Sequence, residues 1–262
     1  MRFLNVAIAG LMALASTLSA QTRDDNWKRC EGDNPEQSIA GCTALIQSGR
    51  ESPKNQAIAF NDRGYAYYDK GEYARAIQDY TQAIRLNPSY ANAFYNRGMA
   101  YDSKGEYDRA IQDYSEAIRL DPGSARVFNN RGASYDNKGE YDRAIRDYTE
   151  AIRLNPGYAS AYSNRGTAYS SKGEYDRAIQ DFNEAIRLNP RLAPAYTNRG
   201  RVYGKRREHD RAIQDFTEAI RLNPNNARAF YLRGLAKRQK GNNPGADADI
   251  AKARQLDPNI DK

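Results

Sequence analysis

Prolines at positions 88, 122, 156, 190, 224 and 258 follow one another at intervals of 34 residues, and glycines at 64, 98, 132, 166, 200 and 234 keep the same interval. A period of this length marks a chain built from one supersecondary unit copied several times, each copy too small to bury its apolar face alone. Six copies follow. The clearest, Ala91 to Pro122, reads ANAFYNRGMAYDSKGEYDRAIQDYSEAIRLDP; near-copies begin at Ala57, Ala125, Ala159 and Ala193, and a worn one at Ala227. The 20 tyrosines, against one Trp and one His in 262 residues, are what repeated copying of a tyrosine-bearing motif produces. With 40% hydrophobic and 28% charged residues the chain has apolar material enough to fold but little for one large core, which suits an elongated stack.

Within a copy the apolar positions have helical spacing. Phe94, Gly98 and Tyr101 form one stripe, and Ala110, Tyr114, Ala117 and Ile118 form another. Gly105, between the stripes, supplies the positive φ of a helix C-terminal cap, and Pro122 stops the second helix. Small Gly98 and Ala110 let the two helices approach closely while tyrosines fill the space beside them. Each hairpin then leaves an apolar face that only the next hairpin can cover.

In period and motif the unit resembles the tetratricopeptide repeat: Phe94, Gly98, Tyr101, Ala110, Tyr114, Ala117 and Pro122 stand at that family's signature places. The resemblance runs from residue 57 to 260. It implies an all-α fold, a right-handed α-solenoid of stacked antiparallel helix pairs, with repeats at 57–90, 91–124, 125–158, 159–192, 193–226 and 227–262, the last including a C-terminal cap. It also implies protein recognition as the function. One place departs from the family. Where an apolar residue usually precedes the first glycine, every copy has arginine: Arg63, Arg97, Arg131, Arg165, Arg199 and Arg233. An arginine so near a packed interface needs a partner, and every copy also has an aspartate sixteen positions later, at 79, 113, 147, 181, 215 and 249. A repeated Arg/Asp pair is therefore expected.

Terminal hairpins have a neighbour on one side only and should be more polar outside. In the last copy Lys237 and Asn243 replace the usual tyrosines. At the other end, Pro35 to Gly49 echoes a second helix, with Ile39, Cys42 and Ile46 standing for Ile77, Tyr80 and Ile84. Residues 21–56 therefore read as a degenerate entry hairpin. Ahead of it, residues 1–20 read as a signal peptide: Arg2, an apolar run from Phe3 to Leu14, then small and polar residues to Ala20. An uncleaved anchor is the alternative. Export would place the chain in the periplasm or outside the cell, free or envelope-associated, where two cysteines at short spacing pair. Cys30 is expected to bond Cys42; a metal site would need more ligands than two thiols and the distant His209 provide.

Positions that vary between copies on the first helices are where the family lines its concave groove. Carried onto this chain, they are Asp62, Tyr65, Tyr68, Tyr95, Asn96 and Met99 in the first two copies, and Asn130 and Asn164 in the next two. Asn198, Arg201, Lys205, Arg228 and Tyr231 follow in the last two. The set runs from aromatic and acidic to basic, which fits a peptide or protein ligand with an acidic portion or a carboxylate toward the last copies, its backbone held by the asparagine amides. The Lys and Asn clamp by which some family members hold chaperone tails is not matched, since Asn61 and Tyr65 stand at two of its places.

The net charge of +7 lies largely between Lys205 and Lys240, yet no nucleic-acid motif accompanies it, so nucleic acid is not an expected partner. No nucleophile with a base, no metal cluster and no phosphate loop points to an enzyme or a cofactor. His209 occupies the place of Tyr141 and Tyr175 and reads as a substituted packing residue. Self-association through a poorly capped end is the main rival to ligand binding.

Overall fold

A computed structural model describes residues 22–261; the expected signal peptide and its cleavage point lie outside them. The described residues contain fourteen helices and no strand. They gather into two compact units that meet in sequence between Gly123 and Ser124.

The first unit comprises α1 (residues 22–30), α2 (Pro35–Ser48), α3 (Pro53–Asp69), α4 (Tyr73–Leu86), α5 (Ala91–Ser103) and α6 (Tyr107–Leu120). The second comprises α7 (Ala125–Asn137), α8 (Tyr141–Leu154), α9 (Ala159–Ser171), α10 (Tyr175–Leu188), α11 (Ala193–Lys205), α12 (His209–Leu222), α13 (Ala227–Gln239) and α14 (Asn243–Leu256). Consecutive helices pack as hairpins, and each hairpin packs on the next within its unit.

The helix boundaries follow local chemistry. Asn34 and Ser52 cap α2 and α3 by accepting from the backbone N–H of Gln37 and Asn55, with a proline at the first helical position of each. The repeated second helices end where the residue before proline is forced out of the helical region, as at Asn87, whose φ and ψ are −138° and 89°. The hairpin turns need a left-handed residue. Gly71, Gly105, Gly139, Gly173 and Gly241 supply it, but in the fifth copy Arg207 takes that conformation with φ of 62°.

Glycine also sets the packing distance between the two helices of a hairpin. A Cβ on Gly98 would lie 2.7 Å from Cε1 of Tyr114, and Gly64, Gly132, Gly166 and Gly200 meet the rings of Tyr80, Tyr148, Phe182 and Phe216 in the same way. Those rings are almost wholly buried, each contributing about 1.5–3 kcal/mol of apolar burial.

All six expected arginine–aspartate pairs are present. Arg97 grips Asp113 with two hydrogen bonds of 2.7 Å, and the other five pairs are bidentate too. A feature not legible in advance is a third bond to the preceding hairpin: Arg63 donates to Thr43, Arg97 to Thr81, Arg165 to Thr149, Arg199 to Asn183 and Arg233 to Thr217. Each of these five arginines thus closes its own hairpin and latches it to the one before.

The entry hairpin has its own fastenings. Cys30 is disulfide-bonded to Cys42, and the Ser38 hydroxyl donates to the Cys30 carbonyl at 2.7 Å. Arg23 reaches Glu51 through bonds of 2.6 and 2.9 Å, fixing α1 to the start of α3. At the other end Lys237 pairs with Asp249 at 2.8 Å.

A candidate ligand face on the first helices

In the first unit the residues singled out from sequence share neighbouring turns of α3 and α5. Tyr65 is 49% exposed, and Tyr68 is tilted against Tyr73 at a centroid distance of 5.3 Å while its hydroxyl meets Ser103 at 3.1 Å. Met99 and Asn96 are half-buried, and burial pushes the Asp62 carboxyl above its ordinary range, opposed by a hydrogen bond from Asn61. Tyr95 differs from the rest: it is 6% exposed and tilted against Tyr114, so its ring is largely withdrawn from solvent.

The asparagines are not idle. Asn96 donates from Nδ2 to Oδ1 of Asn61 at 2.9 Å, joining α5 to α3. In the second unit Asn164 donates to Asn129 at 3.0 Å, Asn198 to the Thr167 hydroxyl at 3.2 Å and Asn226 to the Thr197 hydroxyl at 3.3 Å, while Asn130 accepts from Asn129 at 3.2 Å. One N–H of Asn96, Asn164 and Asn198 ties adjacent first helices together. A second N–H and the Oδ1 of each remain to bond a ligand. Partner atoms across 31 or 35 positions were not readable from one copy of the motif.

The second unit carries the basic part of the face. Arg201, Lys205 and Arg228 are exposed, and none forms an ion pair with a described residue, whereas Arg177, Arg187, Arg211 and Arg221 all pair with glutamates three positions earlier. Lys205 lies 5.5 Å from the centre of the Tyr175 ring, and Tyr231 is half-buried. Arg201 and Lys205 flank a cavity of about 310 Å³ between α11, α12 and α13, whose apolar wall includes Phe216, Leu232 and Leu235. His209 also borders it, with Nδ1 buried and without a hydrogen-bond partner. Sequence reasoning treated His209 as packing and did not find the cavity.

Tyr65 and Leu235, the two large hydrophobic residues exposed among those described, stand at one repeat position five copies apart. Met99, Ala133, Thr167 and Arg201 hold that position between them, so the chain varies it more freely than its packing positions. Among the described residues no group of three or more His, Cys, Asp or Glu is arranged to hold a metal ion, and no helix is long and apolar enough to cross a membrane.

The tetratricopeptide repeat family profile matches residues 61–125 and again 125–158, 159–192 and 193–226. No curated protein matches the sequence significantly. Among solved structures, MamA is 31% identical, with a TM-score of 0.55, over 62% of this chain and 94% of its own. A tetratricopeptide repeat protein from Parabacteroides merdae shares the fold at 22% identity, with a TM-score of 0.74 over 92% of this chain and 95% of that one. YrrB, a tetratricopeptide repeat protein with an unusual peptide-binding site, shares it at 24% identity and a TM-score of 0.57, over 72% of this chain and 95% of its own. With the helix pairs, the glycine–ring contacts and the 34-residue period in place, the chain belongs to the tetratricopeptide repeat family and has its all-α solenoid fold.

Proposed function

We propose that this protein is an interaction scaffold of the cell envelope that binds a peptide or protein segment on the face formed by its first helices. The observation that carries the reading is the set of unpaired cations Arg201, Lys205 and Arg228 on a protein whose other surface arginines are largely paired. Like charges at Arg201 and Lys205, one helical turn apart, cost about 0.2–0.5 kcal/mol in an isolated helix, and an anionic ligand would relieve that cost. The half-used amides of Asn164 and Asn198 on the same unit could bond a ligand backbone. A preformed face held by the arginine latches would lose little conformational entropy on binding.

The disulfide supports an oxidising compartment, periplasmic or extracellular, as the site of action. Affinity capture from the native envelope tests the proposal, using the full chain beside a variant carrying Tyr65→Ala, Asn96→Ala, Arg201→Glu and Arg228→Glu. A partner held by the first and lost by the second supports a binding face on the first helices. A partner held equally by both would move binding to another surface, and self-association seen by light scattering over a concentration series would favour an assembly role.

A further inference from the structure

The cavity beside Arg201 and Lys205 lies where three positions of the fifth copy carry smaller side chains than in the first three copies. Gly204, His209 and Phe216 correspond, by the 34-residue period, to Asp102, Tyr107 and Tyr114 of the second copy. There the Tyr114 hydroxyl donates to the Asp102 carboxylate at 3.2 Å. In the first copy the places of Gly204 and His209 hold Tyr68 and Tyr73, two rings tilted against each other with centroids 5.3 Å apart. The fifth copy has no side chain at the first place, an imidazole at the second, and a ring without a hydroxyl at the third. Against the first copy, what is missing is chiefly the side chain of Tyr68, and the cavity of about 310 Å³ lies at the small end of the roughly 300–1,000 Å³ typical of ligand pockets.

Its chemistry is mixed in a directed way. Phe216, Leu232 and Leu235 give an apolar wall, and Leu235 is 36% exposed despite it. Arg201 and Lys205 stand at the mouth without carboxylate partners, and the buried Nδ1 of His209 has none either. An apolar wall alone would suit any greasy group. Unpaired cations at its mouth select one that travels with negative charge.

We propose that this cavity is a specificity pocket for a single side chain of a bound peptide, a phenylalanine- or leucine-sized residue flanked in sequence by aspartate or glutamate. The apolar group enters against Phe216 and Leu235, and the adjacent carboxylate lies between Arg201 and Lys205. This deepens the proposed function and rests on it: the first-helix face binds the peptide, and the pocket decides which peptide.

The test selects a displayed library of random twelve-residue peptides on the full chain. A synthetic copy of the best-enriched peptide is then titrated against two variants. One, Gly204→Asp with His209→Tyr and Phe216→Tyr, refills the pocket with the residues that fold in the second copy. The other, Arg201→Ala with Lys205→Ala, changes only exposed side chains, and circular dichroism checks both for native helicity. The expected result is a shared apolar–acidic pair among the selected peptides, and at least tenfold weaker binding to each variant. Selected peptides without that pair, or binding indifferent to the refilled pocket, overturn the pocket. If such peptides still lose affinity on Asn164→Ala with Arg228→Ala, the binding face survives and only the pocket fails. If the library yields no enriched peptide, both readings fall.

Discussion

Arg199 grips Asp215 through hydrogen bonds of 2.8 and 2.7 Å while its remaining Nη1 donates to Asn183 of the preceding hairpin at 2.6 Å. The aspartate side chain is 7% exposed, so removing its partner would strand a carboxylate with little access to water. Arg199→Ala is expected to cost about 3–5 kcal/mol, the usual penalty for breaking one side of a buried pair. Arg199→Leu with Asp215→Leu should cost much less than twice that, because no charge is left behind. Urea denaturation of the two variants checks the non-additivity.

The left-handed turn at Arg207, with φ of 62°, is taken by glycine in the other five hairpins of the repeat. A non-glycine residue there carries a steric cost between Cβ and its own backbone. Arg207 makes no ion pair with a described residue. Arg207→Gly should therefore raise stability by about 1 kcal/mol, visible as a higher denaturation midpoint with an unchanged urea slope.

Reduction of the Cys30–Cys42 bond removes a cross-link closing a loop of 12 residues. The expected loss is about 3 kcal/mol, confined to the entry hairpin. Amide exchange should accelerate across residues 22–48 in reductant. Protection in α8 to α12 should stay as it was. Uniform acceleration along the chain would contradict the local character of the staple.

Acid should unpick the surface network in a defined window. Side-chain hydrogen bonds from Arg119, Arg153, Arg187 and Arg221 hold Glu116, Glu150, Glu184 and Glu218 below the ordinary glutamate value of 4.5. Lys104, Lys138 and Lys172 lead the same effect on Glu106, Glu140 and Glu174. Because the folded values lie below the unfolded ones, this stability is complete above 4.5 and is lost as pH falls through the folded values. The melting temperature should be level from neutrality to about pH 5.5 and decline below pH 4.5. Since these carboxylates lie at the surface, about a third exposed, molar salt at neutral pH should reproduce part of the decline.

The fold was legible because helix-period packing repeats at a fixed interval: Gly98 facing Tyr114, Gly105 at the turn and Pro122 at the stop recur in step, and each has one physical job. The Arg97 and Asp113 partnership was legible for the same reason, since a charge copied into every interface implies its counter-charge. The amide ties between Asn96 and Asn61, or Asn198 and Thr167, join side chains whose identities change from copy to copy, so no single motif announces them. The cavity at Gly204, His209 and Phe216 was hidden differently. It is made by groups that are absent, and it shows in a sequence only when each copy is subtracted from its neighbours.

The amide ties have one further property. From Asn96 to Asn61, Asn164 to Asn129, Asn198 to Thr167 and Asn226 to Thr197, the donor always sits on the later helix and the acceptor on the earlier one. Each unit therefore has a grain. A strand laid along it in one sense and the same strand laid in reverse present opposite sequences of N–H and C=O to a face that does not look the same from both ends, so polarity is written into the surface before any side chain of a ligand is read.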